Sequence, residues 1–444
     1  MDPIIVQRSD HCISRANISP EALKVLYGLK EAGFVAYVAG GGVRDLLLGR
    51  KPKDFDVVTD ATPGQVRRVF RNCRLIGRRF RLAHVFYGQK NIEVATFRAN
   101  QPPEENGESG ATPHHVTTDE GMILRDNLFG TPEEDARRRD FTINALFYNI
   151  RDYSVIDYVG GLDDLKARLL RFIGDPAVRC VEDPVRMVRA VRFAATLGLQ
   201  IEAGAQDAMR EHRERLALAN RSRLYEEVLK LFFCGAAEKA YTLLRDFGLF
   251  EILFPEMGSW LGPNAGTPQC RRISEAMRQV DEWRHEGREV SAALLFALMF
   301  GGMNEARAAE LAAHGEHKGL ALHSVTLQHF GGLTERVQVP KAVRFRSAEI
   351  LASQPRLAAD GGARAKPLAT RPFFPEAVAY LEFRVRLTGE NRGALDHVKA
   401  IPWEPREDPE RGRSRGRRGR RGRSFRTRRG AGGAPATPSD LGTP

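Results

Sequence analysis

The spacing of hydrophobic and polar residues predicts a strand, a short helix and a second strand near the start of the chain. Residues 34–39 alternate as a short strand and run into three glycines at 40–42. A helix over residues 43–48 follows, and a second strand opens with Asp54 and Asp56. Side chains two apart on a strand project from the same face, so we expect the two carboxylates to lie side by side.

Three further alternating segments predict antiparallel strands, which extend the first two into a small mixed sheet with helices behind it. These segments cover residues 74–76, 83–87 and 91–98. The last of them carries Glu93, which lies either on a solvated strand face or within reach of the carboxylate pair.

The remaining chain is predicted to be mostly helical. One helix is expected over residues 132–150, whose first turn is acidic and whose second half is apolar. Helical periodicity runs through residues 205–330 and weakens over 331–405, where residues 378–387 form the last expected helix. The longest apolar run, at 292–300, is far too short for a membrane span and predicts a buried helix.

These patterns predict an α+β fold, in which a mixed-sheet catalytic head is followed by an all-α neck and body and a disordered basic tail. The ranges that we assign are an N-terminal arm and helix at 1–33, the head at 34–150, the neck at 151–225, a helical body at 226–330, an RNA-binding region at 331–405 and the tail at 406–444.

Charge is concentrated in the tail. The chain of 444 residues has a net charge of +12, yet residues 411–430 alone hold eleven arginines and no acid. Such a segment cannot bury a core, and its guanidinium groups suit the phosphates of RNA. The alternative is a tail that only aids solubility. The expected RNA contacts include Arg413, Arg417, Arg418, Arg420 and Arg421.

Cysteine usage and the N-terminus favour a cytoplasmic protein. The five cysteines are dispersed without a C-x-x-C pair, which is typical of reduced thiols and not of a disulfide framework or a zinc site. The first residues lack the charged-then-apolar pattern of an export signal.

The glycines and the carboxylate pair together suggest a metal-dependent site that acts on a nucleotide. Glycines between a strand and a helix let backbone N–H groups approach a phosphate, and the helix N-terminus adds partial positive charge. Asp54 and Asp56 offer the oxygen ligands that Mg²⁺ prefers beside phosphates. Either motif alone is often only a tight turn or a solvated strand end, but the two lie within twenty residues of each other.

Two further aspartates near arginines, Asp140 and Asp183, are candidate site residues. Asp140, next to Arg139 and four residues before Asn144, could orient a ribose hydroxyl, bind metal or form a surface ion pair. Asp183 precedes a proline and is either a helix N-cap or part of a base-reading set with Arg186.

A stripe of arginines follows Asp183 on the same expected helix. Arg186, Arg189 and Arg192 recur every three residues, and we expect them to lack acidic partners at i±4. The stripe is therefore interpreted either as a surface for triphosphate or RNA or as a solvated basic face.

In combination, these motifs resemble the class II nucleotidyltransferase superfamily of bacterial poly(A) polymerases and tRNA CCA-adding enzymes. The resemblance rests on GGGVRDLLLG at 40–49, DFD at 54–56, RRDFTINAL at 138–146, DYVGGLDDL at 157–165 and EDPVRMVRAVRFA at 182–194. The five motifs occur in the family's order, and the resemblance fades after residue 255.

The resemblance implies a two-metal active site. Asp54 and Asp56 would hold Mg²⁺, with Mn²⁺ as a substitute, and Asp140 would be the third active-site carboxylate. The implied nucleotide-binding residues are Gly41, Gly42 and Arg44 for the triphosphate, Arg139 for phosphate or sugar, and Asp183, Arg186 and Arg189 for the base.

Within the superfamily, the chain is more similar to the poly(A) polymerases. LIGRRFRLAHV at 75–85 and the arginine-rich tail resemble that branch, and no His-Asp signature of a metal phosphohydrolase is present. The implied reaction adds AMP from ATP to RNA 3′ ends, which would mark the RNA for decay, in a monomer that meets the decay machinery. The alternatives are a tRNA CCA-adding enzyme and a non-catalytic RNA-binding protein.

Overall fold

The computed structural model describes residues 2–77, 82–99, 115–117, 123–126, 129–359 and 364–404. Residues 99–121, which are rich in Pro, Glu, Gly, Thr and His, are expected from the sequence to form a long loop, and they lie mostly outside the described residues. The arginine-rich tail lies wholly outside them. The strands, in chain order, are β1 Ile4–Val6, β2 Ala36–Ala39, β3 Asp56–Thr59, β4 Cys73–Ile76, β5 Leu82–Tyr87, β6 Lys90–Thr96, β7 His115–Thr117, β8 Ile123–Asp126, β9 Leu146–Asn149, β10 Val155–Asp157, β11 Leu169–Leu170 and β12 Gln200–Ile201.

Within the described residues, eight strands form one mixed sheet in the order β1-β10-β9-β2-β3-β6-β5-β4. The pair β3 and β6 is parallel, and the other neighbours are antiparallel. The predicted mixed-sheet head is therefore confirmed. Strands β1 and β10 lie outside the range 34–150 assigned to the head, and the domain boundaries remain a prediction.

The helices account for most of the chain beyond the sheet. They are α1 Pro20–Glu31, α2 Gly41–Leu47, α3 Pro63–Val69, α4 Pro132–Arg138, α5 Gly161–Lys166, α6 Pro176–Glu182, α7 Val185–Leu197, α8 Ala203–Glu211, α9 Arg221–Phe232, α10 Ala237–Asp246, α11 Leu249–Leu253, α12 Pro255–Leu261, α13 Pro268–His285, α14 Ala292–Ala313, α15 Lys318–Leu333, α16 Lys341–Ala352, α17 Gln354–Leu357, α18 Phe374–Thr388 and α19 Arg392–Lys399.

Local sequence explains how several of these helices begin and end. Ser19 caps α1 by accepting a hydrogen bond from the Ala22 N–H at 3.1 Å, and Pro20 fills the first turn. Gly49 takes the positive φ of 67° that ends the turn after α2. The apolar run at 292–300 is the first half of α14 and is buried in the helical body, as predicted.

Three secondary-structure predictions need correction. The helix expected over residues 132–150 ends at Arg138, and the chain continues as a 3-10 turn at Thr142–Asn144 and then as β9, which pairs with β2 and β10. The apolar second half of this segment is thus a central strand, where tertiary pairing overrides helical spacing. Strand β3 begins at Asp56 and not at Asp54, and α19 follows the helix that was expected to be the last.

Two properties of the whole chain also emerge. All five cysteines are unpaired. In the part of the chain that the structure describes, no helix combines the length and the apolar character needed to cross a bilayer.

Candidate active site

A cleft of about 430 Å³ lies between helix α7 and the sheet, at the point where β2 ends and β3 begins. It is lined by Gly40, Gly41, Arg44, Asp56, Arg139, Asp140, Asn144, Asp183, Arg186, Arg189, Phe193 and Arg223. Eight of the ten residues predicted to act in catalysis or nucleotide binding line this cleft, and the other two, Gly42 and Asp54, lie next to it.

The glycine loop closes the cleft at the start of α2. Gly40 has a φ of 70°, and a Cβ at this position would lie 2.9 Å from an Nη atom of Arg139. Only glycine therefore fits here without displacing that guanidinium group. Gly41 lines the cleft, whereas Gly42 is buried against Phe55 beneath it.

Arg44 is held rigidly at the floor of the cleft. Its Nε and Nη2 atoms donate to Asp45 at 2.9 and 2.8 Å, and its Nη1 donates to the Asn144 side chain. The guanidinium carbon lies 5.1 Å from the centre of the Phe193 ring on α7. This buried cation is thus fixed beside the glycine loop, where it suits an anionic ligand such as a phosphate.

Asp54 and Asp56 lie near each other at the start of β3, but only Asp56 belongs to that strand, so the two-residue spacing along a strand does not account for their proximity. Both line a second groove next to the cleft, while Phe55 between them is buried. Burial raises the pKa of Asp56, and the nearby carboxylates of Glu93 and Asp54 raise it further against the opposing effect of Arg139. Neither aspartate forms an ion pair within the described residues.

Glu93 lies near the two aspartates, which the sequence alone left open. It lies on β6, the strand parallel to β3, and lines the same groove as the aspartates. His84 stands opposite it on β5, with its Nε2 atom 3.6 Å from a Glu93 carboxylate oxygen. Glu93 therefore lies within electrostatic reach of Asp56, and its side chain is also 48% exposed, so both expectations for this residue hold.

The donor set fits a hard divalent cation that is shared with a substrate. In the part of the chain that is described, no three carboxylate, imidazole or thiol groups come close enough to complete a metal site alone. Mg²⁺ is commonly held by one or two carboxylates, with substrate phosphates and water as the other ligands. A carboxylate pair in which the pKa of Asp56 is raised, and which has no ion-pair partner among the described residues, fits this arrangement.

Asp140 faces the cleft but is already neutralised by an arginine. Its Oδ2 atom lies 2.8 and 2.7 Å from Nε and Nη2 of Arg189, and its Oδ1 accepts from the Phe141 N–H and the Asn144 amide. Burial alone would raise the pKa of Asp140, but the charge and hydrogen bonds of Arg189 lower it overall. The ion-pair interpretation is thus observed, although the pair is in the cleft and not on the surface.

The opposite wall of the cleft holds a second set of paired charges. Asp183 receives two hydrogen bonds from Arg223, at 3.1 and 2.9 Å, and does not cap α7, whose N-cap is Pro184. Arg186 donates to Glu182 at 2.9 Å and is buried. Both predicted base-reading residues therefore lie at the cleft with their side chains fixed by neighbours.

The expectation that the arginine stripe lacks acidic partners is wrong. Arg186 pairs with Glu182 at i−4, which the sequence itself displays. Arg189 pairs with Asp140 and Glu227, and Arg192 with Glu227, a buried acid on α9. The stripe is therefore part of a charge network inside the protein, since residues distant in sequence supply its counterions.

Several contributors to the cleft were missed by sequence reasoning. Arg223 pairs with Asp183 across forty residues, and Phe193 lies beneath three guanidinium groups, those of Arg44, Arg189 and Arg192. Local spacing could indicate only the contacts of Phe193 with Arg189 and Arg192 on the same helix, and not those with Arg44 or between Arg223 and Asp183. Arg139 was predicted, and it bridges Asp135 and the Asn144 carbonyl at the cleft wall.

The arrangement as a whole suits nucleotidyl transfer. One side of the cleft offers backbone N–H groups, a fixed arginine and the carboxylate of Asp56, and the other offers hydrogen-bonding groups of both polarities. Such groups can bind a triphosphate, share a divalent cation with it and contact a base edge. The fold and the site together define a nucleotidyltransferase.

Comparison with known proteins narrows this class. Residues 36–171 match a family described as the poly A polymerase head domain, residues 198–261 match the probable RNA and SrmB-binding site of polymerase A, and residues 314–429 match the polymerase A arginine-rich C-terminus. Poly(A) polymerase I of Escherichia coli O157:H7 is 41% identical over 435 residues, which cover 93% of this chain and 92% of the relative. The chain belongs to the poly(A) polymerase family.

Similarity also extends to CCA-adding enzymes. The enzyme of Lactobacillus helveticus is 36% identical over 231 residues, which cover 52% of this chain and 54% of that protein. The crystal structure of the Bacillus stearothermophilus CCA-adding enzyme in complex with CTP superimposes with a TM-score of 0.58 at 25% identity, over 86% of this chain and 82% of that one. The superfamily resemblance and the predicted fold class are both confirmed.

Proposed function

We infer that the chain is a poly(A) polymerase, which adds AMP from ATP to RNA 3′ ends without a template and releases pyrophosphate. The observation that carries this function is a single cleft that joins the glycine loop, a carboxylate of the D-x-D pair and the Asp183–Arg186 set. A non-catalytic RNA-binding protein would have no use for the acidic pair, which has no ion-pair partner among the described residues.

We assign the nucleotide-binding roles from the geometry of the cleft. Gly41 and Arg44 face the triphosphate, and Gly42 supports them from below. Arg186 on α7 and Asp183, just before that helix, contact the base edge. Because these groups are fixed before the nucleotide arrives, little ordering free energy is lost on binding.

Arg139, Asp140 and Arg189 connect these two ends of the cleft and are assigned to the sugar and phosphates. Asp140 keeps its negative charge because Arg189 lowers its pKa. A permanently ionised carboxylate accepts a hydrogen bond from a ribose hydroxyl at neutral pH.

We propose that Asp54 and Asp56 hold Mg²⁺, for which Mn²⁺ can substitute. When bound, the metal supplies a lower pKa for the attacking 3′-hydroxyl and charge stabilisation for the leaving pyrophosphate. The protein itself contributes position and electrostatics, since the reaction requires no covalent enzyme intermediate.

A 3′-extension assay tests the proposed function. Purified protein with Mg²⁺ receives ATP alone, CTP alone or both, on an unstructured RNA oligomer and on a tRNA that lacks its CCA end. A long ladder on the oligomer with ATP alone is expected. Growth by three nucleotides that is confined to the tRNA and needs CTP would instead identify a CCA-adding enzyme, the alternative favoured by the structural similarity to that class.

We also propose that the arginine-rich tail, with Arg413, Arg417, Arg418, Arg420 and Arg421, binds RNA phosphates. These residues lie outside the described structure, and their chemistry and the match of residues 314–429 support the proposal. The enzyme is further proposed to act as a monomer in the cytoplasm, where its products would pass to RNA-decay proteins.

A further inference from the structure

A second groove, of about 1,070 Å³, meets the nucleotide cleft at the carboxylate pair. Its walls are the N-terminal arm at residues 16–21, the turn at 49–56 and the β5–β6 hairpin at 89–93. Asp56 lines both cavities, whereas Asp54 and Glu93 line only the groove. Because drug-sized ligands fill pockets of about 300–1,000 Å³, the groove is large enough for one or two nucleotides.

Acidic residues lie at one end of the groove, and two lysines lie beside them. The inner end, next to the cleft, carries Asp54, Asp56 and Glu93, and Lys51 and Lys53 are exposed on the turn just outside it. Within the described residues neither lysine forms an ion pair. The other two basic residues that line the groove already have partners. Lys90 pairs with Glu21 at 3.1 Å, and Arg50 donates to the Thr196 carbonyl at 3.1 Å.

The direction of the reaction decides which substrate each cavity receives. In phosphoryl-type transfer the attacking and leaving oxygens lie roughly in line on opposite sides of the phosphorus. The phosphate-binding roles proposed for Gly41 and Arg44, which line the cleft, put the leaving phosphates on the cleft side of Asp56. The attacking group must therefore arrive from the other side, where the groove opens.

We propose that this groove receives the 3′ end of the acceptor RNA, with Lys51 and Lys53 on its last phosphates. The inference rests on the proposed polymerase activity and adds the site of the second substrate. In the step itself the RNA 3′-hydroxyl loses its proton to water, and the 3′-oxygen forms a bond to the α-phosphorus of ATP. The bond from that phosphorus to the α–β bridging oxygen breaks, and pyrophosphate leaves with the electron pair.

Photo-crosslinking locates the RNA end directly. An oligoadenylate with 4-thiouridine as its last nucleotide is bound to the full-length protein with a non-hydrolysable ATP analogue and Mg²⁺, irradiated and mapped by mass spectrometry. We expect crosslinked peptides from residues 49–56 or 89–93. Crosslinks confined to α7 and α9 would overturn the proposal, because the RNA end would then lie on the α7 side of the cleft.

Binding and kinetics provide an independent test with a matched control. The double variant Lys51→Gln/Lys53→Gln is compared with Lys30→Gln/Lys318→Gln, which removes the same charge from exposed positions outside the groove. Loss of two phosphate contacts on a single strand should reduce the slope of log K against log salt by about 1.4. The KM for RNA should rise about fivefold or more for the groove variant only, with the KM for ATP unchanged.

The outcomes separate this proposal from the polymerase assignment. Extension by the wild type, with equal salt slopes and RNA KM values in the two double variants, would refute the groove and leave the polymerase standing. Absence of any extension by the wild type would refute the polymerase itself. Lys51→Arg/Lys53→Arg, which retains the charge, should restore RNA binding if phosphates are the ligand.

Discussion

The two walls of the cleft differ in whether their carboxylates have basic partners within the described residues. On the sheet side, Asp54 and Asp56 lie together with Glu93 nearby, and burial with like charges raises the pKa of Asp56. On the α7 side, Asp140 pairs with Arg189, and Asp183 pairs with Arg223. The carboxylates of the first wall are thus left for a cation from outside, and those of the second wall are neutralised from within.

The difference distinguishes carboxylates that bind a ligand from carboxylates that stabilise the fold. An acidic pair that repels itself costs stability in the free protein and is satisfied only when a cation and a nucleotide arrive. Removing one partner of a buried, hydrogen-bonded ion pair instead strongly destabilises the protein, because the remaining charge is left buried without a counterion. Substitutions on the two walls should therefore change activity and stability in different proportions.

Asp56→Asn should have the largest effect on rate and the least on folding. Loss of about 4 kcal/mol of transition-state stabilisation corresponds to a rate about 1,000-fold lower. The melting temperature should stay the same or rise, because the substitution removes a charge that burial and Glu93 disfavour. Single-turnover AMP incorporation and thermal melting measure both quantities, and near-normal incorporation would show that Asp56 does not hold the metal.

Asp140→Asn, unlike Asp56→Asn, should lower stability by about 3 kcal/mol, the cost of breaking a buried ion pair. Urea denaturation measures the change, and Asp45→Asn, which removes the partner of Arg44 elsewhere in the cleft, is a useful comparison. A fully stable Asp140→Asn variant would contradict the framework role of the Asp140–Arg189 pair.

The pH dependence of the same variant gives a more specific test. Because the pKa of Asp140 is lowered in the folded state, its contribution to stability is present above the ordinary aspartate pKa and is lost as the pH falls through the lower folded value. The stability gap between wild type and Asp140→Asn should therefore be constant near neutrality and shrink below about pH 4. A gap that is independent of pH would point to lost packing and not to charge.

Arg186→Ala should have a smaller effect on activity, chiefly on nucleotide choice, and should also lower stability because Arg186 is buried and pairs with Glu182. Removing one hydrogen bond from a charged group costs about 1.5 kcal/mol, or roughly tenfold in preference for ATP over CTP. Competition assays with mixed nucleotides measure this ratio, and Arg192→Ala provides a control on the same helix outside the cleft lining. Unchanged selectivity would place base recognition on other residues.

Much of the sheet wall could be predicted from local sequence. The glycines at 40–42, the short helix after them and the D-x-D spacing are all set by neighbouring residues, and the structure retains their order. Local patterns failed where pairing decided the outcome. Residues 146–149 look like the apolar end of a helix, yet they form β9 because β2 and β10 supply hydrogen bonds on both sides.

The α7 wall was only half predictable. Asp183, Arg186 and Arg189 could be selected from the sequence, but their partners could not, apart from Glu182 within one helical turn. Arg223 and Glu227 lie on α9, about forty residues from the groups they neutralise. An arginine stripe that looks like a ligand surface in one helix is thus an internal network once a second helix packs against it.

The most direct test of the contrast between the walls is Mn²⁺ binding followed by electron paramagnetic resonance in the presence of a non-hydrolysable ATP analogue. The wild type and Asp140→Asn should bind the ion with similar affinity, and Asp54→Asn/Asp56→Asn should lose it. Loss of Mn²⁺ from Asp140→Asn with retention in the double variant would contradict the account, because the metal would then belong to the α7 wall.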